Sequence, residues 1–281
     1  MTALVQPDLF DARTVVLSFG GGVDSSAILL WHLFHEPLGI RHVVFADTGA
    51  EHPETYANVE RFRLLCEEHG LPFHTVAKPG ETITEWCLRL GIVPVLAGGS
   101  HICSKKFKGD VIAKWAQDQG IDWPVYLIGI EANEGYRCSR FTTPKGDRAE
   151  YQYPLVELGM TRSDCEALIK RHGMTVRKSS CIFCPFMSQP EIIDAMNDPH
   201  SAPVIRLVEQ RFMESSREKH QAWLDAGQPV DSAGRALRGM WKRDSWQDGR
   251  RLFVKSVGGK CLSVSEWGKI SEKRMVTHGQ V

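Results

Sequence analysis

A strand-like segment, three glycines and a helical pattern follow one another without interruption near the start of the chain. Thr14 to Phe19 has the apolar composition of a buried strand, and Gly20, Gly21 and Gly22 follow it directly. The next segment has a period near 3.6, with apolar residues at Ala27, Leu30, Leu33 and Phe34. Glycines at such a turn let backbone N–H groups converge on an anion, and the helix N-terminus adds its positive dipole end. The segment therefore predicts a phosphate site.

Two common phosphate-binding patterns are excluded here. No Gly-Lys-Ser/Thr follows the glycines, and their spacing does not match Gly-x-Gly-x-x-Gly. We expect Gly22 to combine backbone freedom with a close approach to phosphate. The alternative is a glycine-rich turn that binds nothing.

Short apolar strands alternate with amphipathic helices over the first two thirds of the chain. The pattern predicts strands at 14–19, 41–46, 72–76 and 124–130 and helices at 53–68, 81–90 and 104–117. Such alternation indicates an α/β fold: an open, mostly parallel, twisted sheet with helices on both faces. The alternation stops near residue 190, where helical patterns at 191–196 and 204–224 precede a Gly-, Arg- and Trp-rich end. We therefore predict an α/β domain with the phosphate site at 1–190 and a helical and irregular C-terminal extension at 191–281.

The distinctive polar residues follow the predicted strands. They lie at Gly20–Asp24, at Asp47–Gly49 and at Glu131–Arg137, each after a strand. Ligands of open parallel sheets bind beyond the carboxyl ends of the strands. We therefore expect these three segments to share one site.

Composition limits the class of protein and the redox compartment. No apolar run approaches the roughly 20 residues of a membrane span, and the N-terminus lacks a signal-peptide pattern. A cytoplasmic protein without membrane contact is the expectation. Eight cysteines in a reducing compartment favour metal or redox chemistry over a disulfide framework.

Four segments, in this order, resemble the ATP pyrophosphatase and PAPS reductase superfamily of PP-loop proteins, in particular its phage and DndC-like branch. Gly20–Ser25 is similar to Ser-Gly-Gly-x-Asp-Ser, with Gly20 in place of the serine. Asp47–Tyr56 resembles Asn/Asp-Thr-Gly followed by Pro-Glu-Thr. Gly129–Arg137 resembles Gly-Ile-Arg-Ala-Asp/Glu-Glu-Ser-x-x-Arg, with a glutamate in place of the first arginine and the spacing one residue shorter. Cys181–Pro185 is similar to Ser-x-Cys-x-x-Cys-Pro.

The resemblance implies a fold like that of the adenine nucleotide alpha hydrolases and binding of ATP, or of PAPS or APS, with Mg²⁺. The implied catalytic residues are Asp24, Asp47, Glu134 and Arg137. The implied nucleotide-binding residues are Ser18, Gly20, Gly21, Gly22, Asp24, Ser25, Ser26, Asp47, Thr48, Gly49 and Lys106. Asp47 could accept from a ribose hydroxyl or an adenine amine, hold a magnesium-bound water, or cap a turn. Arg137 and the lysines at 105, 106 and 108 would offset phosphate charge, although a solvated helix face also explains the lysines.

Cysteine spacing suggests a metal centre. Cys181 and Cys184 lie in one turn, at a spacing that a tetrahedral metal or an iron–sulfur cluster requires. In the family reading, Cys103 is the third ligand and Cys138 the fourth ligand of a [4Fe-4S] cluster; structural zinc and redox thiols are the alternatives. Three further cysteines fall in helical patterns and are expected in the core: Cys66, Cys87 and Cys165. Cys261 is either an exposed thiol or the C-terminal nucleophile of adenylyl-sulfate reductases, although their Glu-Cys-Gly-x-His tail is missing here.

The end of the chain is basic. Residues 201–281 hold 15 Lys/Arg and 9 Asp/Glu, a net +6, and Trp241 and Trp246 lie among the arginines. Such a segment suits a phosphate backbone and stacked bases, or it is a positive surface whose tryptophans pack on the protein. The resemblance supports two enzyme classes, and the missing Glu-Cys-Gly-x-His tail, the open cysteine loop and the basic end favour the first: an ATP pyrophosphatase that adenylates a tRNA or DNA acceptor for thiolation. It would use a sulfur donor such as a cysteine desulfurase, and a homo-oligomer is possible. The alternatives are an adenylyl-sulfate reductase that releases sulfite and a non-catalytic nucleotide sensor in a defence or modification complex.

Overall fold

The computed structural model describes residues 13–94, 96–97, 100–140, 148–230, 232, 252–253, 256–257 and 260–278. In chain order the strands are β1 (Val15–Phe19), β2 (Ile40–Asp47), β3 (Phe73–Ala77), β4 (Leu96–Ala97), β5 (Ser100–His101), β6 (Val125–Ile128), β7 (Glu150–Gln152), β8 (Ser256–Val257) and β9 (Lys260–Cys261). The α-helices are α1 (Val23–Phe34), α2 (Pro53–Glu68), α3 (Ile83–Leu90), α4 (Ile102–Ser104), α5 (Asp110–Asp118), α6 (Pro154–Glu157), α7 (Arg162–Arg171), α8 (Gln189–Asn197), α9 (Ser201–Asp225) and α10 (Val264–His278). A π-helix spans Lys105–Gly109 and a 3₁₀ helix spans Ala132–Arg140.

The chain divides into two compact units. Unit 1 comprises Met1–Pro79 and Ser104–Ser179, and unit 2 comprises Gly80–Cys103 and Ser180–Val281. The segment 80–103 therefore groups with the C-terminal helices, although the sequence predicts it in the first domain. The domain boundary near residue 190 stays a prediction.

Unit 1 is built on a five-stranded sheet of order β3-β2-β1-β6-β7, in which every neighbouring pair is parallel. Val16, Leu17 and Phe19 of β1 and residues 43–46 of β2 are apolar and buried, as expected for a sheet covered on both faces. The α/β fold with an open parallel sheet is confirmed.

Alternate residues of each strand face opposite layers of helices. Leu17 and Phe19 belong to a core that includes residues of α1, α2 and α7. Val16 and Val44 belong to a second core with Ile112 and Trp115 of α5. Helices therefore cover both faces of the sheet, as predicted.

Local agreement with the predicted elements is close. The four predicted strands and the helices at 53–68, 191–196 and 204–224 form within a few residues of their predicted ends. One predicted helix, 104–117, is instead a π-helix followed by α5. Strand β7 and helix α10 were not predicted from the sequence.

The described part of unit 2 is mainly helical. Helix α8 packs against α9 and α10, and α3 packs against α9. Thr82 and Glu85 form a capping box that starts α3, and Gly91, in the left-handed region, ends it. In the described residues, no helix is long and apolar enough to cross a membrane.

Candidate functional site

A cleft of about 290 Å³ opens in unit 1 at the carboxyl ends of β1 and β6. The chain runs from β1 outward through β2 to β3, and it returns on the other side of β1 with β6 and β7. The strand order therefore reverses between β1 and β6, and such a switch point is where open parallel sheets bind ligands. The cleft is lined by Ser18, Gly20, Gly22, Val23, Asp24, Ser25, Ile128, Gly129, Glu134, Arg137, Arg162, Lys178 and Ser179.

Hydrogen bonds within the turn between β1 and α1 fix its shape. The Gly20 amide donates to Ser25 Oγ at 3.1 Å, and the Ser25 hydroxyl donates to the Gly22 carbonyl at 3.3 Å. The Ser26 amide donates to the same carbonyl at 3.1 Å, which begins the hydrogen-bond ladder of α1. Gly22 is the N-cap and has no side chain to accept from the first-turn amides of α1. A helix N-terminus of this kind attracts an anion.

The glycine that needs left-handed backbone is Gly21, not Gly22. Gly21 has a φ of 68°, and an added Cβ would lie 2.9 Å from Thr55 Cγ2 and 3.0 Å from Val59 Cγ2. Asn58, on the same helix α2, donates to the Gly21 carbonyl at 2.8 Å.

Gly22 has a φ of −99°, which any residue adopts, so the predicted backbone freedom at Gly22 is wrong. The close approach that excludes a side chain there is made by Ser179, whose Oγ would lie 2.7 Å from the added Cβ.

Asp24 in the first turn of α1 is paired with Arg162 at the start of α7. Arg162 Nη2 donates to Asp24 Oδ2 at 3.1 Å, and Nη1 lies 2.8 Å from Oδ1. The second contact is an ion pair without hydrogen-bond geometry, since Oδ1 is buried and accepts no hydrogen bond. Burial raises the pKa of Asp24 above its usual value, Arg162 opposes this, and Glu134 and Glu131 reinforce it.

A second ion pair, between Glu134 and Arg137, lines the same cleft. Arg137 forms a salt bridge with Glu134, one turn earlier in the 3₁₀ helix. Glu131, only 6% exposed, accepts from the Asn133 amide at 2.8 Å and so holds the start of this segment. The cleft therefore contains two carboxylates, Asp24 and Glu134, and three cations, two arginines and Lys178.

The residues predicted after β2 do not line this cleft. Asp47 Oδ1 accepts from the Gly49 amide at 2.8 Å and from the Tyr56 hydroxyl at 2.7 Å, so the carboxylate caps the turn after the strand. Desolvation and this hydrogen bond raise the pKa of Tyr56. Thr48 is buried, and with Lys106 it too lies outside the lining of the cleft. Their roles toward a nucleotide stay predictions.

Glu51 is a buried acid whose role was not predicted from the sequence. Its side chain is fully buried, and its Oε1 lies 2.8 Å from Lys108 Nζ and accepts from the Thr48 hydroxyl at 3.1 Å. Its Oε2 is buried without a hydrogen-bond partner. One of the three lysines expected to offset phosphate charge is therefore engaged by a carboxylate of its own unit.

The proposed cluster ligands are divided between the units. Cys103, Cys181 and Cys184 belong to unit 2, and Cys138 lies in the 3₁₀ helix of unit 1. The Cys184 amide donates to the Cys181 carbonyl at 3.0 Å, so the two residues share a tight turn. Desolvation raises the pKa of the Cys138 thiol. Across the described ranges, no group of three or more His, Cys, Asp or Glu is arranged to hold a metal ion. The cluster and the zinc site stay predictions.

The three cysteines expected in the core are there. Cys66 and Cys165 are fully buried and Cys87 is 1% exposed. Burial raises the pKa of each of these thiols to about 12, so they are protonated and inert at neutral pH.

Most of the basic end of the chain lies outside the described residues. Trp241, Trp246, Arg250 and Arg251, and the side chain of Cys261, lie outside the described residues. Their assigned roles stay predictions.

Sequence reasoning missed Arg162, Ser179 and Asn58 as residues of the site. The Thr161–Asp164 capping box indicates a helix start at Arg162 but not which carboxylate that arginine meets. Its partner is 138 residues away in the chain, and no local pattern encodes such a contact.

No protein-family model matches the sequence, and no curated protein matches it. Among solved structures, the phosphate complex of phosphoadenylyl-sulfate (PAPS) reductase from Candida auris is similar over 60% of this chain and 76% of its own. The sequence identity is 15% and the TM-score is 0.39. A likeness of this extent assigns neither a family nor an activity to the chain.

Proposed function

We propose that unit 1 binds an adenine nucleotide in the cleft at the switch point, and that the protein is a sulfur-transfer enzyme of the PP-loop type. This proposal is supported by one observation: the glycine turn, the N-terminus of α1 and three cations lie together at that point of the sheet. The sequence resemblance supplies the nucleotide. The missing Glu-Cys-Gly-x-His tail and the basic end favour the reaction class: cleavage of ATP between its α and β phosphates to activate an acceptor.

The residues of the cleft would act mainly by position and charge. Amides at the start of α1 would donate to phosphate oxygens, and Arg137 and Lys178 would offset the charge that develops on the leaving pyrophosphate. In the described residues no acidic group is arranged as a metal cage. Mg²⁺, when bound with the nucleotide, would supply further neutralisation of the phosphate charge.

Binding of ATP tests the site. Calorimetric titration should give saturable binding to the wild-type protein and a loss of at least about tenfold in affinity for Gly22→Val, because its side chain would collide with Ser179. Gly20→Ala is the matched control, since the nearest atom to its Cβ lies 3.7 Å away. Wild-type affinity for ATP and PAPS in Gly22→Val would refute the site.

Product analysis tests the reaction. Pyrophosphate released from ATP in the presence of tRNA or DNA supports the proposed activation. Sulfite released from PAPS would replace it with adenylyl-sulfate reduction, and tight ATP binding without turnover would replace it with a nucleotide sensor.

The nucleic-acid acceptor has a separate test in the basic end. Contacts between Lys or Arg and phosphate release counterions, so tRNA or DNA binding should weaken steeply with salt. Arg250→Ala with Arg251→Ala should flatten the salt slope by roughly one unit per lost contact, for all sequences alike. No binding at low salt would remove nucleic acid as the acceptor.

A further inference from the structure

Asp24 is an acid at a site that is built to attract an anion. It lies in the first turn of α1, two residues after Gly22, and it lines the cleft together with the glycine turn. A carboxylate at this position is attracted to the same helix N-terminus as a phosphate. It can therefore compete for the amides of the turn, and it repels any anion beside it.

Arg162 prevents this competition in the structure. Its two guanidinium nitrogens lie 2.8 and 3.1 Å from the two carboxylate oxygens of Asp24, so the carboxylate is held toward α7. The arginine side chain is 36% exposed and the aspartate side chain 14%, so the pair is at the edge of the cleft and screened only in part.

The charges around Asp24 make Arg162 its main counterion. The acids that face it are Glu134 and Glu131, the other cation is Arg137, and burial disfavours the charged form most. Of the groups that stabilise the carboxylate, Arg162 has the largest effect.

We propose that Arg162 is a positioning residue of the cleft: it orients and neutralises the Asp24 carboxylate so that the first turn of α1 remains open to phosphate. The inference rests on the proposed function only in that the cleft binds phosphate groups. Two other roles are possible outcomes of the test. Arg162 could contact the phosphate directly, or it could only tie α1 to α7.

A double-mutant cycle separates these roles. Binding of inorganic pyrophosphate is measured calorimetrically in EDTA for the wild type, Arg162→Gln, Asp24→Asn and the double variant, and thermal unfolding is recorded for each. Pyrophosphate without metal is the probe because Asp24 then acts on it only by repulsion and competition. Lys178→Gln, in both Asp24 backgrounds, is the matched control, because it removes a positive charge from the same cleft without removing a partner of the Asp24–Arg162 pair. Arg162→Lys tests rescue by a retained charge.

We expect Arg162→Gln to weaken pyrophosphate binding about tenfold when Asp24 is present, since an unneutralised charge within a few ångströms acts at low effective dielectric. With Asp24→Asn the same change should alter the affinity less than about twofold. Lys178→Gln should weaken binding equally in both backgrounds, and Arg162→Lys should recover part of the loss.

Three results would overturn the inference. Equal losses from Arg162→Gln in both backgrounds would show direct phosphate contact. Lower thermal stability with unchanged affinity would show a purely structural tie. If the wild type binds neither pyrophosphate nor ATP, both this inference and the proposed function are wrong. If the wild type binds them but the double-mutant cycle shows no coupling between Arg162 and Asp24, only the role of Arg162 is refuted.

Discussion

Replacement of two adjacent glycines should differ sharply in its effect on stability and on ATP binding. Gly21→Ala places a Cβ on a residue whose φ is 68°, at 2.9 Å from Thr55 and 3.0 Å from Val59. The left-handed backbone costs an L-residue about 1–2 kcal/mol, and the overlap with two side chains of α2 adds about 1–3 kcal/mol. We expect the free energy of unfolding to fall by about 2–5 kcal/mol, which a domain of ordinary stability survives.

Gly20→Ser is the matched variant. Gly20 lies outside the left-handed region, and the atoms nearest its added Cβ are Ser179 Oγ at 3.7 Å and Ser25 Oγ at 3.8 Å. These are ordinary van der Waals contacts, so the free energy of unfolding should change by less than about 0.5 kcal/mol. The new hydroxyl would stand where the PP-loop pattern has its serine, and ATP affinity should be retained or increased.

Urea unfolding and calorimetric ATP titration of the folded variants are the two assays. A shift of Gly21 would disturb the hydrogen bond from Asn58 and the turn that precedes α1, so Gly21→Ala should also weaken ATP binding by at least about tenfold. If Gly21→Ala is as stable as the wild type, or if Gly20→Ser is the more damaging change, the reasoning about this turn is wrong.

Three further predictions concern other parts of the chain. The pKa of Asp24 is raised in the folded state, so its ionisation lowers the free energy of unfolding as pH rises above the usual aspartate range. In urea titrations, Asp24→Asn should therefore be more stable than the wild type at pH 7 but not at acidic pH. Gly91→Ala should lower the free energy of unfolding by about 3 kcal/mol or more, because its Cβ would lie 2.2 Å from a serine of α9. Gly120 is also in the left-handed region, but its added Cβ would have no atom within 4 Å, so Gly120→Ala should lower the free energy of unfolding by only about 1–2 kcal/mol. If the cysteine cluster forms, anaerobically purified protein should contain iron and show thiolate-to-iron absorbance that Cys181→Ser and Cys184→Ser each abolish; stoichiometric zinc without iron would contradict the cluster.

The parts of the fold that could be predicted are those encoded by local pattern. Apolar runs such as 43–46 identify buried strands because both faces of a parallel sheet must be covered. The glycine turn could be located because strand, glycines and helix are contiguous. Conformation within the turn could not be predicted, because any of three consecutive glycines can take positive φ. The side chains that crowd Gly21 and Gly22, Thr55 and Ser179, lie elsewhere in the chain.

Long-range pairing accounts for the rest. The contact of Arg162 with Asp24 and that of Lys108 with Glu51 join distant segments, and neither residue type nor spacing specifies the partner. Asp47 shows the converse. Its position at a strand end suits a ligand, yet its Oδ1 is engaged by the Gly49 amide and the Tyr56 hydroxyl close by in the sequence.

Asp24 and Glu51 pose the same physical problem at the ends of neighbouring strands. Glu51 is fully buried and Asp24 is largely buried, with 14% of its side chain exposed, and each has one cation from a distant segment and one oxygen that accepts no hydrogen bond. A buried ion pair is often no more stabilising than well-packed apolar side chains of similar size, and an unsatisfied buried oxygen adds a further cost. Stability alone therefore gives no reason for two such acids next to the glycine turn and the turn after β2. A gain in stability for Asp24→Asn would show that the carboxylate at the cleft is maintained against the stability of the fold, as expected of a residue that serves a ligand.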